Sequence, residues 1–169
     1  MSLDKIDKKI LYELDNNSRQ PYSKIAKKLK ISKESCTYRI NKLIEQGIIS
    51  KFLTMVSLSS LDIKLFKLYL KLHGMPKDIF NKSIENLKDN SKINWIAEGI
   101  GCFDLMITIQ CKNLKEFDLE KQKILKEYNQ YIQNYYQGEL IEAEIYGRNY
   151  LSEKERQEIR YFCGDNKTY

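Results

Sequence analysis

Between residues 27 and 42 the chain gathers side chains that can hold phosphates and read base edges: Lys27, Lys28, Ser32, Lys33, Ser35, Thr37, Tyr38, Arg39 and Lys42. Lysine and arginine neutralise phosphates, arginine can grip a guanine edge through two donors, and hydroxyls serve either backbone or base. Their spacing matters as much as their type. Cys36, Ile40, Leu43 and Ile44 recur at three- and four-residue steps, which predicts one buried helical stripe and turns Lys33, Glu34, Ser35, Thr37, Tyr38, Arg39, Asn41 and Lys42 outward. Ser32 is placed to cap the helix, because its hydroxyl can accept a first-turn N–H, and Gly47 to stop it in the left-handed conformation.

Such a helix needs a support. Leu3, Ile6, Ile10, Leu11 and Leu14 predict a first helix with Asp4 and Asp7 in its opening turn, where the helix dipole favours acids. After Pro21 a short second helix places Ile25, Ala26 and Leu29 on one face, with Lys24, Lys27 and Lys28 on or beside the other. The three residues Lys30, Ile31 and Ser32 then lead into the polar helix. Two helices joined by a tight turn, the second polar and basic, form a helix-turn-helix. The apolar, β-prone run from Ile48 to Leu58 predicts an extended wing or connector strand.

Charge follows the same division. The net charge is +6, and residues 1–60 hold 12 Lys and Arg against 6 Asp and Glu, whereas residues 61–169 hold 17 of each. The whole excess therefore lies in the first third, which points to a nucleic acid, such as double-stranded DNA, or to an acidic surface as partner. No apolar run reaches the roughly 18 to 20 residues of a membrane span, and the N-terminus lacks the apolar centre of a signal peptide, so a cytoplasmic protein is expected. Cys36, Cys102, Cys111 and Cys163 form no C-x-x-C pair, which predicts reduced thiols and neither a zinc site nor a disulfide frame.

Residues 3–50 resemble the N-terminal domain of the Lrp/AsnC, or feast/famine, family of transcription regulators. The likeness rests on the Leu-Asp-x-x-Asp start, the Ile10-Leu11 pair, Arg19 before the second helix, Ile25-Ala26 within it, and a Ser32-led third helix that carries Arg39 and ends in "LIEQGII". The resemblance implies a sequence-specific regulator that binds DNA as a dimer or higher oligomer, with Arg39 in its recognition helix.

From residue 64 the periodicity changes to two. Phe66, Leu68, Leu70 and Leu72 oppose Lys67, Tyr69 and Lys71 in a strand; Ile79, Phe80, Ile84 and Leu87 follow Pro76 as a helical stripe. "INWIAEGIG" predicts a second strand, and Phe103, Leu105, Ile107 and Ile109 alternate through a third, with Gly99 and Gly101 at the turn between. Asn113 caps a helix bearing Leu114, Phe117, Ile124, Leu125 and Tyr128, and "ELIEAEIYG" predicts the last strand with Ile141, Ala143 and Ile145 on one side. The order β-α-β-β-α-β defines a ferredoxin-like unit whose helices cover one sheet face. Tyr69, Trp95 or Ile96, and Met106 leave the other face too apolar to stay wet, so self-association is expected. The fold class is thus α+β: a winged helix-turn-helix over residues 1–50, a connector over 51–63, a βαββαβ domain over 64–150 and a tail over 151–169. In that tail Ser152 and Glu155 suggest a capping box and a short helix.

This second domain resembles the dimerisation and effector-binding domain of the same family, whose Gly-x-aromatic-Asp signature is matched by "GCFD" at 101–104. The resemblance implies homodimers built by sheet packing, larger assemblies such as tetramers or octamers, and a small-molecule effector, commonly an amino acid, near Gly99, Gly101 and Asp104. An equally good reading of those three residues is a turn, with glycines supplying positive φ and Asp104 bonding to backbone. Departures include Asp62, where the family often has glycine, and an unusual stretch from Tyr135 to Leu151. No catalytic spacing stands out: His73 is the only histidine and no Gly-rich phosphate loop is present, so neither enzyme activity nor a cofactor is expected. The competing class is a siroheme decarboxylase, a tetrapyrrole enzyme of similar two-domain look, which would need basic groups or histidines around a large pocket in the second domain.

Overall fold

The computed structural model describes residues 3–146, 148–151 and 159–163. These divide into two compact units, one drawn from Met1–Val56 with Glu144–Arg160 and the other from Ser57–Ala143 with Tyr161–Tyr169.

In the first unit α1 (Lys5–Asn16), α2 (Tyr22–Leu29) and α3 (Lys33–Glu45) close around Ile10, Leu14, Ile25, Ala26, Cys36, Ile40 and Leu43. Each end has a physical cause. The Asp4 carboxylate accepts the N–H groups of Ile6 and Asp7 at 2.8 and 2.7 Å, and the Ser32 hydroxyl accepts that of Ser35 at 3.0 Å. α3 ends in a Schellman motif: Gly47 takes φ +69°, its N–H bonds the Ile44 carbonyl at 2.9 Å, and the Ile48 N–H bonds that of Leu43 at 2.9 Å. Between α2 and α3 Lys30 turns left-handed at φ 55°. Ile44, expected in the buried stripe, is 42% exposed; at about 100° per residue it stands about 70° from the middle of the Cys36, Ile40 and Leu43 stripe.

The connector forms no strand. Residues 50–57 have no ladder partner among the described residues, and Phe52, Leu53, Met55 and Val56 are exposed. β-prone side chains cannot make a strand without a neighbouring backbone to bond.

The second unit carries β1 (Lys64–Leu72), α4 (Lys77–Lys88), β2 (Ile93–Glu98), β3 (Leu105–Cys111), α5 (Leu114–Tyr128) and β4 (Ile132–Leu140). The sheet order is β2-β3-β1-β4, antiparallel throughout. Phe66, Leu68, Leu70, Ile107 and Ile109 pack with Leu87, Phe117 and Ile124 of the helices, and Phe66 stacks on Phe117 with ring centroids 4.5 Å apart. Leu114, expected in the α5 stripe, is exposed at the first helical position.

Two expectations about strands need correction. The last strand of the sheet is β4, "IQNYYQGEL", and not "ELIEAEIYG"; β5 (Ala143–Tyr146) pairs instead with β6 (Ile159–Cys163) in a separate two-stranded ribbon. β4 lies at the sheet edge with most of its residues exposed, so its apolar and polar side chains do not alternate as those of a half-buried strand do. Phe103 precedes β3 and turns to the open face, where it meets Tyr69 and Tyr136 at 5.1 and 5.5 Å between centroids. The suggested capping box, Ser152 and Glu155, lies outside the described residues, while Ile159–Cys163 is strand and not helix.

The left-handed Lys30 gives a test of the helix-turn-helix geometry. Replacing Lys30 with Gly should raise stability by about 0.5 to 1 kcal/mol, since relief of the backbone outweighs glycine's greater unfolded freedom. Denaturant unfolding reads this directly, and a lower midpoint would contradict the positive φ.

Candidate functional site

The outward face of α3 is built by its own caps and by the stripe beneath. With Cys36, Ile40 and Leu43 buried, Lys33, Glu34, Tyr38, Asn41 and Lys42 are exposed, and Tyr38 is 67% accessible although aromatic. Lys27 on α2 and Lys51 after α3 are exposed as well. Of the other expected site residues, Ser35 is half-buried, while Ser32, Thr37, Lys28 and Arg39 are committed to partners inside the unit. Ser32 caps α3, and the Thr37 hydroxyl donates to the Lys33 carbonyl at 2.9 Å. Lys28 pairs with the largely buried Glu13.

Arg39 is held most firmly. Its Nη1 lies 2.6 Å from Asp4 Oδ2 and 2.7 Å from Asp7 Oδ1, while Asp4 Oδ1 caps α1. Bonds from the Asp7 backbone and then from Arg39 hold the Asp4 carboxyl below the ordinary carboxylate range, and the two carboxylates raise the guanidinium further. At the far end of α1 the backbone N–H of Arg148 donates to Asp15 Oδ2 at 3.1 Å, and its guanidinium pairs with the same carboxylate. Neither pairing was legible in the sequence, because both join residues far apart along the chain.

In the second unit the three effector candidates fall at the β2–β3 turn. Gly101 takes φ +132°, and a Cβ on Gly99 would meet the Phe103 carbonyl oxygen at 3.2 Å. Asp104 is bound to β1: it accepts the Leu72 N–H at 2.7 Å and the Lys71 ammonium at 2.9 Å. Lys71 also donates to the Gly101 carbonyl at 2.9 Å, so the turn is braced against the sheet. Beside it an open cavity of about 690 Å³ is lined by Lys71, Cys102, Phe103, Gln133, Asn134 and Tyr136. Neither glycine nor Asp104 lines it. The three β4 residues were missed because β4 itself was not expected as a strand.

On the same face Lys67 Nζ donates to Thr108 at 2.7 Å and lies 4.6 Å over the Trp95 ring, and burial pushes its amine down from the usual lysine value. His73 is exposed, its backbone N–H bonded to the Tyr131 carbonyl at 2.8 Å. Cys36 and Cys111 are buried and Cys102 is exposed. No helix among the described residues is long and apolar enough to cross a membrane.

Comparison with known proteins bears on both units. Residues 3–50 match the family model described as winged helix-turn-helix DNA-binding. An HTH-type transcriptional regulator from Saccharolobus solfataricus, LysM, is 31% identical over 113 residues, spanning 67% of this chain and 77% of the relative. Among solved structures, an AsnC family transcriptional regulator from Agrobacterium tumefaciens superposes with TM-score 0.76 at 18% identity, over 86% of this chain and 95% of its own. A transcriptional regulator from Neisseria meningitidis, solved as an L-Met complex, superposes with TM-score 0.74 at 18% identity, over 83% and 90%. These structural likenesses establish the two-domain fold.

Asp104 yields a pH test. The Leu72 N–H and then Lys71 depress its carboxyl below the unfolded value of 3.8, so its stabilisation is present above that pH and fades as pH falls through the lower folded value. Asp104→Asn should cost about 1 to 2 kcal/mol near neutrality, and the gap from wild type in urea unfolding should close in acid. A pH-independent gap would remove the carboxylate from the brace.

Proposed function

The chain belongs to the Lrp/AsnC family of transcription regulators, and from that membership we infer that it recognises particular DNA sites as a homodimer or larger assembly. It is a DNA-binding transcription regulator, and no enzymatic step is needed to account for its residues. The observation that carries the reading is the exposed polar face of α3, capped at both ends and centred on Tyr38.

Two copies related by a twofold axis present two α3 helices to successive major-groove faces, so the operator is an imperfect palindrome with half-sites about one helical turn apart or a multiple of it. Lys27, Lys33, Lys42 and Lys51 meet phosphates, and Ser35 and Tyr38 reach bases, Tyr38 against a thymine methyl or a phosphate. Lys28 and Thr37, engaged within the unit, are withdrawn from direct contact. The open sheet face with Tyr69, Trp95, Met106 and Tyr136 pairs with its counterpart in a second copy; the exposed Trp95 and Tyr136 support this.

A small molecule, of which an amino acid is the first class to try, shifts the assembly by binding one state better than another. The solved L-Met complex of the Neisseria regulator supports that choice. The cavity beside Asp104 is the place to look; Lys71 lines it, with one ammonium N–H beyond the two given to Asp104 and the Gly101 carbonyl. A DNA partner supports a cytoplasmic location. The matching relatives are named as regulators, which supports this reading over a siroheme decarboxylase.

Genome-wide mapping of bound DNA is the direct test, and enrichment at no set of sites would overturn the reading. In a titration with an enriched duplex, affinity should fall steeply between about 50 and 200 mM salt through counterion release; a flat response contradicts phosphate contacts. Tyr38→Ala should cost about 1 to 3 kcal/mol of specific binding if the ring meets a base. In light scattering the protein should run as a dimer or larger at micromolar concentration, and a monomer would refute sheet pairing.

A further inference from the structure

We propose that Arg39 is a positioning residue of the DNA interface, one that fixes the seat of α3 against the start of α1 and touches no base itself. The inference rests on the DNA-binding reading above and reassigns a residue that the sequence marks as a candidate for contact with a guanine edge.

Helical geometry is the first support. At about 100° per residue, Arg39 stands about 70° from the middle of the Cys36, Ile40 and Leu43 stripe, whereas Tyr38 stands about 170° from it. Tyr38 therefore crowns the outward face and Arg39 lies on its shoulder, toward α1. The exposures agree, with Tyr38 largely open and Arg39 only partly so.

The partners are the second support. One guanidinium nitrogen bonds both Asp4 and Asp7. Asp4 uses its other oxygen to cap α1 through the Ile6 and Asp7 N–H groups, so the bond from α3 reaches the backbone of α1 and not merely a mobile side chain. The buried stripe holds α3 from beneath, and this cluster holds it from the flank. A guanine grip that used Nη1 would require Arg39 to abandon two charge-assisted bonds and to leave two carboxylates unpaired close to DNA phosphates, where like charge repels; with Nη1 held, the other guanidinium donors stay tied to the flank of α3.

The test uses the full chain and a duplex enriched from a random-sequence library by the wild-type protein, with a scrambled duplex as the non-specific reference. Affinities for both are measured for wild type, Arg39→Ala, the pair Asp4→Asn with Asp7→Ala, and the triple variant. Asn at position 4 keeps the capping oxygen. The readout is the ratio of specific to non-specific affinity; unfolded protein lowers both affinities alike and leaves the ratio unmoved.

If Arg39 positions α3, Arg39→Ala and the carboxylate pair each lower the ratio by about five- to tenfold, and the triple variant loses no more than either, as residues of one network do. The ranking of single-base-pair changes in the duplex then stays as in wild type. A wild-type ratio in the carboxylate pair, or loss of preference at one base pair in Arg39→Ala, overturns the assignment. Should Arg39→Ala not fold, the carboxylate pair and Asp4→Asn alone decide it by the same ratio. Failure of the wild-type chain to enrich any duplex would count against the DNA-binding reading itself.

Discussion

Cys36, Ile40 and Leu43 are buried together against Ile10, Leu14, Ile25 and Ala26, and the periodicity of the helix does the rest. Once those three positions point inward, every polar residue of α3 must leave on another side. The Ser32 cap and the Schellman turn at Gly47 set the length of that surface, because each satisfies backbone groups that would otherwise fray the ends. A small core thus dictates which side chains are offered to a partner. Enlarging or shifting the stripe by one residue would rotate the offered face by about a quarter turn.

The second constraint is electrostatic. The N-terminal third is rich in cations, but not all of them are free to meet DNA: Lys28 and Arg39 are taken up by Glu13, Asp4 and Asp7. Internal pairing sorts the basic residues into those that hold the helices in register and those, such as the exposed Lys27, Lys33 and Lys42, that no ion pair among the described residues engages. The βαββαβ unit applies the same division differently. Its helices cover Phe66, Leu68, Leu70, Ile107 and Ile109 on one face, while Asp104 and Lys71 brace the turn that carries Phe103 across to the other.

The sequence was most legible where a repeat of side chains met a strong boundary signal. α1, α2 and α3, with Ser32 and Gly47 at the ends of α3, follow from spacing and capping alone, and so do β1 and all of β3, although Phe103 drew its start two residues early. Legibility failed where exposure removed the pattern. β4 carries Tyr135, Tyr136 and amides on an open edge, so nothing alternates, while the better-patterned Ile141, Ala143 and Ile145 drew the strand too far along the chain. The connector failed for the opposite reason: its side chains favour a strand, but a ladder needs a second backbone. At the candidate site, residue types were readable and their partners were not. Arg39 and Asp7 are separated by 32 positions, and no local spacing reveals such a bond.

The stacking of Lys67 over Trp95 has an optical consequence. Trp95 is the chain's single tryptophan, so its indole emission arises from one place, the uncovered side of the β-sheet, with an ammonium 4.6 Å above the ring. Anything that settles on that side displaces water from the indole and alters the nearby charge together. The molecule therefore carries its own spectroscopic gauge of whether the sheet is bare or covered, without any attached dye.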